Sequence, residues 1–262
     1  MKSVCLQFLI VMLFACNDNA LVYSKDIFHK SVVNESLQTP HKKNELFSNY
    51  GIVQDRDGYV KLRAKPSVKS KIKTKIPSGE IIYIFSEDSV ATGWYIIDYY
   101  VSDGKLVTGY VHKSRIKLID SFKNIPAIFQ NVSSATFIAK DVTLVLNAGK
   151  SHNNTSANKS LHSRGQEGSS TPETIMWGTD GTSPTSEYKS ISIITGKSKQ
   201  QINRKAFKNF YDVSLENTQC FLDESTKTLF LTSLNGDGAS AYEVLFIFRN
   251  GRHVKTYACQ AS

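Results

Sequence analysis

The chain has 262 residues, 40% of them hydrophobic and 21% charged, with a formal net charge of +9. That length exceeds one ordinary domain of about 100–150 residues, and the composition excludes wholesale disorder, so two folded domains are predicted. The positive charge favours anionic partners, among them wall polymers, lipid head groups and nucleic acid, and an aromatic content of 11%, mostly Tyr and Phe, leans towards β structure.

Residues 1–16 read MKSVCLQFLIVMLFAC: one cation, an apolar stretch from Val4 to Phe14 broken by Gln7, then a small residue. The stretch is too short for a permanent membrane helix and has the layout of a secretory signal peptide. Its end, Leu13-Phe14-Ala15-Cys16, resembles a lipobox. That resemblance implies that Cys16 becomes the lipidated first residue of a mature lipoprotein, although Phe14 stands where a smaller or branched residue is usual. The rival cut, soluble secretion after Asp18-Asn19-Ala20, has a charged residue where a small one is wanted. Export disfavours nucleic acid as a partner. Asn17, following the lipid-bearing Cys, is not the Asp that resembles an inner-membrane retention signal, so the expected location is the periplasm-facing envelope, anchored to the outer membrane in a Gram-negative host.

Loss of the leader removes Cys5, and lipid occupies Cys16, which leaves Cys220 and Cys259. Two thiols in an oxidising compartment predict a disulfide, which would stabilise the fold by roughly 4 kcal/mol through loop-closure entropy, with two free buried thiols as the alternative.

From Asn17 to about Tyr50 the sequence is polar and irregular, with His41-Lys42-Lys43-Asn44-Glu45, and reads as a tether over 17–50. Between Gln54 and Ile119, short β-runs (YVKLR, EIIYIF, WYIIDYYV, TGYVH) alternate with turn signals at Asp57-Gly58, Pro77-Ser78-Gly79, Thr92-Gly93 and Asp103-Gly104. Five short strands in so few residues predict a small barrel. The stretch from Lys61 to Lys75 carries Lys61, Arg63, Lys65, Lys69, Lys71, Lys73 and Lys75 and no acid. Near-alternate spacing puts many of them on one side of an extended segment, as a solvated face or as an anion site.

The succession DGYVKLRAKPSVKSKIKTKIPSGEIIYIF, GWYIIDYY and DGKLVTGYVHKSRIKLI resembles the bacterial SH3-type domain over residues 54–119. It has the opening strand ending in Leu-Arg, the Pro-Ser loop, the strand after Ile-Pro-x-Gly, the Gly-Trp-Tyr strand and the Gly-Tyr-Val-His closing strand. Lys65 stands where the family often has Gly, and the hairpin between Tyr95 and Thr108 is slightly long. The resemblance implies an SH3-like β-barrel over 51–120 that binds peptidoglycan peptides or an envelope protein and does no catalysis. By position, Tyr59, Arg63, Trp94 and Tyr110 are the expected groove residues. Aromatics supply rigid contact area and Arg pairs with carboxylates.

Residues 121–262 read as a second β-rich domain. TFIAKDVTLVLN suggests a long strand, and 150–171, rich in Ser, Asn and Gly, a loop. After it come TIMWGTDG, YKSISIITG, TKTLFLTSLNGDG, AYEVLFIFRNG and RHVKTYAC, with Asn250-Gly251 the strongest hairpin signal. Ile202, Ala206 and Phe210, four apart, suggest one short helix. The expected architecture is mainly β: a small SH3-like barrel followed by a β-rich domain.

Chemistry-bearing patterns are sparse. The six histidines, His29, His41, His112, His152, His162 and His253, form no metal spacing, so no metal or cofactor is expected. The turns Trp177-Gly178-Thr179-Asp180-Gly181 and Asn235-Gly236-Asp237-Gly238 lack the DxDxDG spacing of a calcium loop and read as ordinary turns unless they meet to form a recognition surface. Cys220 with His253 meets only a bare Cys-His count, and a hydrolase would need one of Cys220, His253 or Asp237 to be essential. Sequons at Asn34, Asn131, Asn153, Asn154 and Asn158 suit a eukaryotic secreted protein, against which the lipobox and the SH3-type pattern argue. The leading expectation is a non-enzymatic envelope lipoprotein that binds the wall or a periplasmic partner. The alternative is an inhibitor or immunity protein that neutralises a wall-degrading toxin through residues 121–262.

Overall fold

Runs of β-branched and aromatic residues between Gly, Asn and Asp turns fold as strands throughout, and the chain is mainly β, with no α-helix among the described residues. The structure, a computed structural model, describes residues 48–87, 91, 93–101, 105–152, 176–179 and 183–261. The leader, Cys16 and most of the expected tether and of the Ser/Asn-rich loop lie outside the described residues.

Seven strands form the N-terminal sheet: β1 (Tyr50–Val53), β2 (Tyr59–Arg63), β3 (Ile72–Pro77), β4 (Ile81–Glu87), β5 (Trp94–Tyr100), β6 (Leu106–His112) and β7 (Ile116–Leu118), in the order β3-β2-β6-β5-β4-β1-β7. Val53, Val60, Leu62, Ile76, Ile82, Ile84, Ile97 and Val111 make one cluster from strands at both ends of this order, so the sheet curls over its own core. Gly109 permits a close approach of two strands. A Cβ there would lie 2.7 Å from the Arg63 carbonyl oxygen and 2.9 Å from Leu62 Cγ, where β2 crosses onto β6.

β8 (Lys123–Ile125) leads into β9 (Ala127–Gln130), β10 (Ser134–Ala139), β11 (Val142–Lys150), β12 (Ser186–Thr195) and β13 (Ser198–Gln201), a flanking sheet ordered β13-β12-β11-β10-β9. The last strands, β14 (Thr218–Asp223), β15 (Thr228–Asn235), β16 (Tyr242–Arg249) and β17 (Arg252–Gln260), build with β8 a central sheet ordered β17-β16-β15-β14-β8. Asn250 and Gly251, at φ 50° and 71°, make the hairpin turn between β16 and β17, as their sequence predicts.

The central sheet is buried on both faces, and β16 is buried without a break from Tyr242 to Phe248. Leu229, Leu231, Val244 and Phe246 pack against Leu144, Leu146, Ile191 and Ile193 of the flanking sheet. Phe221, Phe230, Leu245 and Ile247 point the other way, against Tyr50, Ile81, Tyr83, Ile119 and Phe122 beside the N-terminal sheet. That second core makes one body of the described residues. At about 25 cal/mol per Å² of apolar surface, a fully buried Phe contributes about 1.5–3 kcal/mol, so the rings of Phe122 and Phe230, stacked at 5.2 Å, are substantial ties.

Three expectations are corrected. TFIAKDVTLVLN is a hairpin, because Lys140 adopts φ 55° and turns β10 into β11 within two residues. The Ile202-Ala206-Phe210 spacing forms only a single turn of 3-10 helix, Arg204–Ala206, capped by Asn203 Oδ1 accepting from the Lys205 N–H; Phe207 and Phe210 are anchored in the core and Phe210 bridges to Trp177. The Cys220–Cys259 disulfide is absent, both thiols being free. They sit on β14 and β17, three strands apart and facing opposite cores, so at about 4.8 Å per strand their Cα atoms are at least about 14 Å apart, twice the reach of a disulfide.

Candidate functional site

In the N-terminal sheet Val60, Leu62, Ile76, Ile97 and Val111 point into the curl, which turns their neighbours outward. Tyr59, Lys61 and Arg63 of β2, Lys75 of β3, Trp94 and Ile96 of β5, and Tyr110 and His112 of β6 therefore share the outer face. Arg63 pairs in register with Tyr110, Tyr110 with Ile96, and Trp94 with His112. The four residues singled out in the sequence thus lie together on one face, each half-buried and none in the core.

Local contacts hold them. Arg63 Nη1 donates to the Ser70 carbonyl at 2.8 Å, which fixes the loop between β2 and β3. The Lys75 ammonium lies 4.1 Å from the Tyr59 ring centre, a cation–π contact. Trp94 meets His112 edge to face at 5.3 Å. Lys61 stands directly opposite Lys75, and Lys65, Lys69, Lys71 and Lys73 are exposed nearby. Like charges opposed across a strand pair raise the local positive potential, which an anionic ligand relieves.

A second feature has no signature in the sequence, because segments far apart in the chain build it. A cleft of about 550 Å³ runs beside β17. One wall is Glu80–Tyr83 and Asp98–Tyr100 of the N-terminal sheet; the other is the Asn203–Phe210 segment; His253 to Cys259 lie between. Burial pushes the Tyr100 hydroxyl up to about 12 and raises Tyr257, so both stay neutral aromatic surfaces. Burial depresses His253, whose Nε2 is 2.9 Å from Thr256 Oγ1.

Next to the cleft, the buried Glu243 carboxylate accepts from Ser48 Oγ at 2.8 Å and from the Asn49 N–H at 3.0 and 3.2 Å. The Tyr50 hydroxyl donates to the Glu243 carbonyl at 2.9 Å. Burial pushes this carboxyl up to about 7 against the pull of those donors. Ser48 and Tyr50, expected at the end of a tether, are thereby fixed in the fold.

Cys220 and His253, like the two thiols, belong to strands three apart and do not converge. Burial raises the Cys220 thiol to about 12. Among the described residues no three of His, Cys, Asp and Glu gather as metal ligands. The two Gly-Asp turns do approach each other as far as they are described. Tyr211 N–H donates to the Trp177 carbonyl at 3.0 Å and Gly236 N–H to the Asp212 carbonyl at 2.9 Å. Their inner residues are structural: Trp177 and Asn235 are buried, and a Cβ on Gly178 would lie 2.3 Å from the Tyr211 oxygen. Asp180 and Gly181 lie outside the described residues.

No protein-family model matches the chain, and no curated protein matches it in sequence.

Proposed function

We propose that this is an exported envelope lipoprotein that binds the cell wall, without catalysis, through the outer face of its N-terminal sheet. The supporting observation is the gathering of Tyr59, Arg63, Trp94 and Tyr110 on one face beside a stretch of lysines without acids. Peptidoglycan offers both chemistries that such a face accepts. Its sugar rings present apolar faces to flat aromatics, and its peptides carry carboxylates that a guanidinium pairs with through two donors. Lysines add long-range attraction that weakens with salt. The bacterial SH3-type resemblance of residues 54–119 supports the same ligand class, and the lipobox-like Cys16 supports an anchor that would keep this face near the wall.

Co-sedimentation of the unlipidated chain, from Asn17, with purified peptidoglycan tests the reading. Wild type is retained, Trp94→Ala and Tyr110→Ala are lost to the supernatant while keeping the native circular dichroism, and 0.5 M salt weakens retention. A chain that stays in solution at low salt overturns wall binding and redirects the search to an envelope protein.

A further inference from the structure

β17 is the outermost strand of the central sheet, and β16 is its only strand partner among the described residues. In an edge strand every second residue turns its N–H and C=O away from the sheet, and such a row templates pairing with another extended chain. Natural edges are usually blunted, and β17 is blunted at one end only. The register slips between Ile247 and Phe248, so Val254 bulges out. From Lys255 to Gln260 the ladder is unbroken, an edge about 20 Å long at 3.4 Å per residue.

The cleft lies along this same stretch. Lys255, Tyr257 and Cys259 face the wall made by Glu80, Asp98, Tyr99 and Tyr100, whereas Thr256 and Ala258 face the Asn203–Phe210 wall. A strand laid on the edge would send its side chains alternately to the two walls. The first wall is aromatic. Its two acids are already engaged, Asp98 by the Thr108 hydroxyl and Glu80 by the charge of Lys255. The second presents Lys205 and Lys208, both exposed, and neither forms an ion pair among the described residues.

We infer that the cleft docks an extended peptide by strand addition to β17, with apolar or aromatic side chains towards Tyr99 and Tyr100 and acidic ones towards Lys205 and Lys208. Main-chain hydrogen bonds to the edge supply affinity, and the alternate pattern supplies specificity. The cleft volume falls within the range of about 300–1,000 Å³ common for ligand sites. The cleft contains none of Tyr59, Arg63, Trp94 and Tyr110 and does not depend on wall binding.

The probes are fluorescent capped hexapeptides alternating Glu with Tyr or with Val, a counterpart with Lys in place of Glu, and two versions of each Glu peptide N-methylated at alternate backbone nitrogens, one in either phase. Polarisation with the mature chain should show saturable binding of a Glu peptide. Affinity should fall at least tenfold for the Lys peptide, for the N-methyl phase that faces β17, and for the double variant Lys205→Glu with Lys208→Glu. Hydrogen exchange should slow at Lys255–Gln260. Failure of both Glu peptides to saturate overturns the inference. So does binding indifferent to both N-methyl phases or to the double variant, or protection that appears on another strand.

Discussion

Arg63 on β2 stands directly opposite Tyr110 on β6, the one register pair through which these two strands meet among the described residues. Gly109, next to Tyr110, makes that meeting possible, since any Cβ would press on the Arg63 carbonyl and the Leu62 side chain. Gly109→Ala should destabilise the protein by about 1–3 kcal/mol through overpacking, read as a lower urea midpoint. The same variant should lose wall retention, because Arg63 and Tyr110 are parted.

Lys61 and Lys75 oppose each other on the open face, an arrangement that stability alone disfavours. Lys61→Glu should raise stability by about 0.2–1 kcal/mol at low ionic strength, and the gain should shrink in high salt. Retention on peptidoglycan should weaken at the same time. A variant that is more stable and equally well retained would remove this lysine pair from the binding face.

Glu243 makes the fold sensitive to pH in a defined direction. Its carboxyl is raised by burial, and by repulsion from Asp120, to about 7 from an ordinary 4.5. The native state therefore holds a proton that the unfolded chain releases between these values. The stabilising contribution is fully present below about pH 4.5 and is lost as pH rises through 7, in total about 3 kcal/mol. Comparing urea midpoints at pH 5 and pH 8, Glu243→Gln should remove most of that loss relative to wild type. His253, depressed by burial, works in the opposite sense in both proteins and cancels in the comparison.

The mature chain should carry two free thiols at Cys220 and Cys259 after aerobic purification. A thiol reagent at pH 8 should modify Cys220 only on unfolding, since burial holds its thiol near 12. A reducing agent should leave the melting temperature unchanged. Intact mass under non-reducing conditions checks the count directly.

The sequence was legible where local chemistry dominates. Asn250-Gly251 needs two positive φ angles and obtains them, and alternation in YVKLR correctly turns Tyr59 and Arg63 away from Val60 and Leu62. The proposed face was readable because its residues come from strands close in sequence. Periodicity misled at Ile202-Ala206-Phe210, where helical spacing serves loop residues that drop into a core. It also missed the turn at Lys140, a residue without turn preference forced to φ 55° by the pairing of β10 with β11. The apolar runs LFL in β15 and VLFIF in β16 signal burial on both faces, but their covering sheets lie far away in the chain, so the second core was invisible. The cleft beside β17 was hidden for the same reason, and the disulfide expectation failed because a count of thiols carries no strand order.

The two tryptophans offer the most direct test of wall binding. Trp177 is buried at 3% exposure, whereas Trp94 is half-buried on the proposed face. Titrating the mature chain with soluble peptidoglycan fragments while following tryptophan emission and its quenching by acrylamide therefore reports on Trp94. Wall binding through this face predicts a saturable change with reduced quenching, abolished in a folded Trp94→Phe variant that keeps Trp177. Binding of the fragments with no change at Trp94, or an equal change in Trp94→Phe, would contradict it.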